Sequence, residues 1–195
     1  MSPFPEVDAR PAEAAPKTAA VPSLAQIFEE HAPFLWRALI GLGVPARDAQ
    51  DLCQEIMITV HRRLPQFDGV SLRGWLYGIC VRVASDYRRS ARVRREVVTD
   101  AQPEEASTTD PADSLDRTRQ VRRLLSGLSR LDEPKREAFV LFEIEELTLA
   151  EVSEAVGAPI QTVYSRIKAA REQMQRGFSA TSHDAPKKGG ISEAR

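Results

Sequence analysis

Residues 147–171 read LTLAEVSEAVGAPIQTVYSRIKAAR, and the fold turns on how this stretch is punctuated. Thr148 and Glu151 have the Thr-x-x-Glu spacing of a capping box, in which hydroxyl and carboxylate each satisfy an amide left open at a helix start. Leu149, Val152 and Val156 then recur at helical spacing and form an inward face. Gly157 can take the positive φ that ends a helix, and Pro159 opens the next helix in its first turn. In that second helix Val163, Ile167, Ala170 and Met174 step by four, three and four, so they also face inward. Gln161, Thr162, Tyr164, Ser165, Arg166, Lys168 and Arg171 are left for the outward side. Two short helices around a Gly turn, with almost no spare residue, spell a helix-turn-helix that places its second helix in a DNA groove. Polar side chains there suit base edges, and Arg and Lys suit phosphate. The alternative is an ordinary helical hairpin with a solvated face. Cap, glycine and polar composition together favour the DNA reader.

Upstream of this motif the pattern stays helical. One helix carries Leu115, Val121, Leu124, Leu125 and Leu128. The next begins near Asp132 with Pro134 in its first turn and presents Ala138, Phe139, Leu141 and Phe142. Residues 115–178 thus form one helical domain. Residues 96–114 precede it with six acids, no basic residue and two prolines, the composition of a flexible, self-repelling linker. Residues 23–95 form a first helical domain. Ser23 can cap a helix with Leu24, Ile27, Phe28, Phe34 and Leu35 as its apolar positions. After Gly41, Gly43 and Pro45 a second helix starts near Asp48, with Ala49, Leu52, Cys53, Ile56, Met57 and Val60 inward. Asp51, Gln54, Glu55 and Arg62 share its other face. Past a loop at 65–70, a third helix from Ser71 to about Arg94 has Leu72, Trp75, Leu76, Ile79, Cys80 and Val83 as its stripe. That helix ends in Arg82, Arg88, Arg89, Arg92, Arg94 and Arg95, countered by Asp86. The cluster suits phosphate, although cations also simply favour a helix C-terminus. Trp75, Tyr77 and Tyr87 interleave with it, and such aromatics can stack unpaired bases. Trp75 also lies on the apolar stripe, where a core role is the plainer reading. Residues 1–22, with five prolines, and the Ser, Gly, Lys and Pro rich residues 179–195 read as disordered ends.

Bulk properties narrow the function classes. The net charge is −1, so any nucleic-acid site must come from local charge segregation. Of 27 basic residues five are Lys and the rest Arg, which suits bidentate phosphate and guanine contacts. Cys53 and Cys80 are far apart and form no metal-ligand pattern, so both read as small core side chains. His31, His61 and His183 are scattered. Neither a nucleophile–base set nor a Gly-rich phosphate loop stands out, so no catalytic residue, metal or cofactor is assigned. The N-terminus lacks the apolar segment of a secretory signal, and no run approaches a membrane span of roughly 18 residues. A soluble cytoplasmic, all-α protein without membrane insertion is expected.

Three motifs in order carry a family resemblance. Asp48-Ala49-Gln50-Asp51-Leu52-Cys53-Gln54-Glu55 resembles the DAEDLVQE stretch of bacterial RNA polymerase sigma factors. Trp75-Leu76-Tyr77-Gly78-Ile79 with Asp86-Tyr87-Arg88-Arg89 resembles their WLxxIA…DxxRR helix. Thr162-Val163-Tyr164-Ser165-Arg166 resembles the TVxSR core of their C-terminal helix-turn-helix. The likeness is to the extracytoplasmic-function (ECF) subfamily of the sigma-70 class, spans about residues 24–176, and puts the acidic linker in its usual place. Arg82 stands where the family often has Asn, and Ser153 where it usually has Ala.

The resemblance implies a sigma factor that binds core RNA polymerase and starts transcription at chosen promoters. Asp51, Gln54 and Glu55 would grip the coiled coil of the polymerase β′ subunit. Trp75, Arg82, Asp86, Arg88, Arg89 and Arg92 would recognise and help melt the minus-ten element, and the loop 65–70 would shelter a flipped base. Gln161, Thr162, Tyr164, Ser165, Arg166, Lys168 and Arg171 would read the minus-thirty-five element. The β flap of polymerase and promoter DNA are further implied partners, and an anti-sigma factor is a common one. Polymerase would hold the two DNA-reading halves apart. A stand-alone helix-turn-helix regulator, dimeric on a palindrome, is the rival reading; an enzyme is a remote one.

Overall fold

The computed structural model describes residues 22–97 and 113–182, and among these every regular element is helical. Seven α-helices follow one another: α1 (Leu24–Gly41), α2 (Ala46–Arg63), α3 (Leu72–Val97), α4 (Asp113–Ser129), α5 (Glu133–Phe139), α6 (Leu149–Val156) and α7 (Ile160–Ser182). A 3-10 turn at Leu64–Gln66 follows α2, and a π-helical turn at Val140–Ile144 extends α5. The expected disordered leader falls, but for Pro22, outside the described residues, as does most of the expected linker. α3 and α4 run into the two ends of that linker, and α7 continues to Ser182, past the expected start of the tail.

Local chemistry places the helix ends. Ser23 caps α1 in a full capping box with Gln26, and Thr148 does the same for α6 with Glu151. Asp132 caps α5 through the amide of Lys135, with Pro134 in the first turn. Gly157 ends α6 at φ 62, in the left-handed region that glycine enters without steric cost. Ser153 takes part in the same turn: its hydroxyl donates to the carbonyl of Ala158 at 2.6 Å. Ser153 thus pins the turn between α6 and α7.

The periodic residues bury largely as their spacing predicts. Val163, Ile167, Ala170 and Met174 are all buried on α7, and Ala49, Ile56, Met57 and Val60 on α2. On α1, Ile27 and Leu35 are buried as expected, but the two phenylalanines are not. Phe28 and Phe34 are 53% and 42% exposed, while Ala38 and Leu39 are fully buried. The buried side of α1 is made of small and aliphatic residues, Ile27, Leu35, Ala38, Leu39 and Gly41.

The main departure concerns α3. Besides Leu76, Ile79 and Cys80, its second face is buried: Tyr77, Val81 and Ala84 are each at most 6% exposed. That face packs against α6. Gly78 lies so close that a Cβ there would meet Ala155 Cα at 3.4 Å and Ala155 O at 3.3 Å. The two halves expected on either side of a linker are therefore packed together, and their buried residues form one continuous cluster.

Candidate nucleic-acid interface

α7 is the candidate reading helix. Its buried stripe fixes which residues face outward: Gln161, Tyr164, Ser165 and Lys168 are exposed, and Thr162, Arg166 and Arg171 are half-buried. The first turn of α7 carries no acid, so the positive end of its dipole is uncompensated and favours phosphate. Ser165 donates to the carbonyl of Thr162 at 2.8 Å, which holds its hydroxyl near the helix surface. Arg166 lies near enough to Asp132 and Glu137 to favour both as carboxylates. Arg171 is placed differently from its neighbours. Its guanidinium pairs with Glu143 at 2.5 Å, lies 6.0 Å from the Phe142 ring centroid and is 11% exposed.

α3 offers a second basic surface. Arg82, Asp86, Arg89 and Arg92 are exposed, and Asp86 pairs with Arg89 one turn on. Trp75 is half-buried and meets Phe67 with ring centroids 5.2 Å apart and planes tilted by 42°. Phe67 belongs to the loop 65–70, so that loop and the start of α3 share an aromatic corner. Gly69 (φ 78) shapes the loop, and Asp68 accepts from the amide of Val70 at 3.0 Å. Arg88 points the other way. It is 16% exposed and donates to Leu42 O, to Glu133 Oε1 and, at 3.2 Å, to Glu137 Oε1.

On α2, Asp51, Gln54 and Glu55 are all exposed on one strip. Ile58, 52% exposed, continues it, so the strip mixes acids with one apolar side chain. Between α4 and α7 lies a groove of ≈ 650 Å³, rimmed by Arg122, Arg123, Arg130 and Arg176 over Met174 and Phe178.

Sequence reasoning did not find the acids that hold the basic residues of the first half. Glu145 is 2% exposed; its carboxylate accepts from Arg37 Nε and Nη2 at 2.9 and 2.8 Å and from the Tyr77 hydroxyl at 2.9 Å. Its carbonyl accepts from Arg73 at 2.7 Å. Burial, then the neighbouring Glu145 charge, pushes the Tyr77 phenol well above its ordinary range, so it stays a donor. Ser85 donates to Glu133 at 2.6 Å, and with the Arg88 pairing this holds the Glu133 carboxyl below its ordinary range. Burial pushes Glu137 up to about 7. The available signal was Gly74 and Gly78, four apart on α3, which permit close approach of a second helix. Among the described residues no cluster of His, Cys, Asp or Glu could hold a metal ion, and no helix is long and apolar enough to cross a membrane.

Comparison with known proteins agrees with this geometry. Residues 27–94 match the family model for Sigma-70 region 2, and residues 121–174 match that for Sigma-70, region 4. The chain is 31% identical over 159 residues to the ECF RNA polymerase sigma factor SigE of Mycolicibacterium smegmatis, covering 80% of this chain and 62% of SigE. It is also 31% identical over 146 residues to the ECF RNA polymerase sigma-E factor of Escherichia coli, covering 69% of this chain and 76% of that one. Its fold is similar to that of the sigma factor RpoE of Bartonella quintana, solved in complex with the anti-sigma factor NepR. The TM-score is 0.63 at 24% identity, over 80% of this chain and 96% of that one. CnrH, solved in complex with the cytosolic domain of CnrY, gives a TM-score of 0.61 at 24% identity over 83% and 89% of the two chains.

Proposed function

We propose, because the chain belongs to the ECF subfamily of the bacterial sigma-70 family, that it binds core RNA polymerase and directs promoter-specific transcription initiation. The observation that carries this reading is the pairing, in one chain, of an outward polar face on α7 with an arginine-bearing face on α3. A stand-alone repressor needs the first face and has no use for the second. In this assignment Gln161, Thr162, Tyr164, Ser165, Arg166 and Lys168 read the minus-thirty-five element. Arg82, Asp86, Arg89 and Arg92 meet the minus-ten element. Trp75, with Phe67 behind it, offers a face for an unpaired base near the loop 65–70. Arg88 and Arg171 join these sets only after leaving Glu133, Glu137 and Glu143.

Strand opening is then driven by capture of unpaired bases, each stacking contact contributing about 1–3 kcal/mol. Two weak DNA contacts on one platform act at high effective concentration, so neither has to bind tightly alone. Asp51, Gln54 and Glu55 supply the grip on the β′ coiled coil. The basic rim and apolar floor of the α4–α7 groove fit an acidic amphipathic segment and make it the candidate seat for the β flap. The protein works by binding, as a factor rather than an enzyme, and in the cytoplasm where polymerase is. An anti-sigma factor would be its natural inhibitor. Run-off transcription with core polymerase and genomic templates tests the whole: promoter-dependent RNA is expected, and none from any template would overturn it.

A further inference from the structure

We propose, resting on the assignment of α7 to the minus-thirty-five element, that Ile160 is a further specificity-determining residue. With Tyr164 it forms an apolar wall that reads the C5-methyl group of a thymine, beside the base bonded by Gln161.

Ile160 opens α7 and is 48% exposed, and Tyr164, one turn on, is 40% exposed. Residues four apart lie on one face of a helix, so the two side chains form a single patch. The chain leaves this patch uncovered. Val163, Ile167, Ala170 and Met174 carry the buried side of the helix. The turn before it is Gly157-Ala158-Pro159, too short and too small to fold back over Ile160. A Cβ at Gly157 would meet nothing within 4 Å, so the space in front of the turn is open among the described residues.

A recognition helix presents its N-terminal residues to base edges. In the major groove the C5-methyl marks thymine and is read by apolar side chains, while a Gln amide reads adenine through N6 and N7. The start of α7 places both readers side by side. Gln161 is exposed next to Ile160, and among the described residues neither its amide nor the Tyr164 hydroxyl has a hydrogen-bond partner. The Ser165 hydroxyl is turned back onto the Thr162 carbonyl, which leaves the approach to the larger side chains. Lys168, a further turn along the same side, is exposed. At about 1.5 Å per residue it stands about 12 Å from Ile160, close to the width of the major groove. With Ile160 at the base edges, Lys168 reaches the phosphates of the rim. Ile is β-branched and stiff at χ1, so holding it against a methyl group costs little side-chain entropy. Two side chains are too small a patch for a protein partner, whose standard interface buries about 800 Å² per side. They match one methyl group.

The test uses a duplex selected on the polymerase–protein complex from a pool randomised at the minus-thirty-five element. Each thymine of that element is replaced in turn by uracil, which removes the methyl group and keeps every hydrogen-bonding group. At one position the replacement is expected to weaken binding by about fourfold, the worth of one buried methyl group. Ile160→Ala should lose a similar factor on the thymine duplex and be indifferent to uracil at that position, the signature of a direct pair in a double-mutant cycle. Ile160→Val should keep part of the discrimination. The circular dichroism spectrum should not change, because Ile160 is exposed. Equal tolerance of uracil at every position by the wild-type chain would overturn the proposal. So would an Ile160→Ala variant that still feels the replacement in full, or one that loses capture of core polymerase without DNA, which would put Ile160 on a protein partner. Run-off transcription from the thymine template reads the sigma function separately: promoter-dependent RNA together with uniform uracil tolerance removes the methyl reading alone.

Discussion

Single side chains carry two different kinds of charge in this protein. Arg166 lies on the outward side of α7, where it can neutralise a phosphate, although Asp132 and Glu137 stand near it. Arg166→Ala should weaken promoter binding by the polymerase–protein complex and flatten the plot of log affinity against log salt by about 0.9, the value of one released counterion. Titration at several salt concentrations checks this, and an unaltered slope would place Arg166 off the DNA. Glu137 is the opposite case, a carboxylate pushed up to about 7 by burial despite Arg88 beside it. Its proton is bound more tightly in the packed form than in the unfolded chain. The stability it contributes is therefore full below the ordinary carboxylate value of about 4.3 and is lost as pH rises through about 7. Glu133 and Asp132, both held low, act in the opposite direction and at more acidic pH. Glu137→Gln isolates the one group: its stability relative to wild type should rise steadily from pH 4.5 to pH 7 in denaturant titrations.

Elements owe their positions to caps and stripes. Thr148 accepts from the Glu151 amide, and Glu151 Oε2 accepts from the Thr148 amide at 2.9 Å, so the start of α6 is satisfied from within the motif. Thr148→Ala should cost about 1 kcal/mol in equilibrium unfolding while leaving the turn at Gly157 intact. On α2, burial of Ile56, Met57 and Val60 forces Asp51, Gln54 and Glu55 to the outer strip. Replacing Gln54 and Glu55 together by Ala should weaken capture of core polymerase without changing the circular dichroism spectrum. Wild-type affinity in that pull-down would remove the strip from the polymerase contact. α3 is the element that serves two purposes. One flank shows Arg82, Asp86 and Arg89 to solvent, and the other buries Tyr77, Gly78 and Val81 against the other half.

At the scale of the molecule, two helical halves share one buried cluster. The contact between them is joined by polar links as well as apolar packing: Arg37–Glu145, Tyr77–Glu145, Arg73–Glu145, Ser71–Glu151 and Arg88–Glu133. Calorimetry should show one cooperative transition for the wild-type chain, because neither half can unfold without exposing the surface it shares. In Gly78→Leu the transition should divide in two as each half melts alone. A single transition at the wild-type temperature would mean that α3 and α6 accommodate the added side chain.

What the sequence by itself determined is what repeats over three or four residues. The Ser23 cap, the Thr148–Glu151 capping box, the left-handed Gly157, the inward set on α7 and the outward strip on α2 each follow from residues one turn apart, and all are legible in the sequence. So were the motifs that mark the family. The exposure of Phe28 and Phe34 on α1, the second buried face of α3 and the destination of Glu145 were decided by tertiary structure alone. Their partners lie far along the chain, 68 residues from Tyr77 to Glu145 and 108 from Arg37 to Glu145, and such pairs leave no period to read. A glutamate beside a helix start looks like any solvated acid until an arginine from the other half closes over it. That the two halves meet is a matter of contact energies across α3 and α6, and those exist only once the chain has folded.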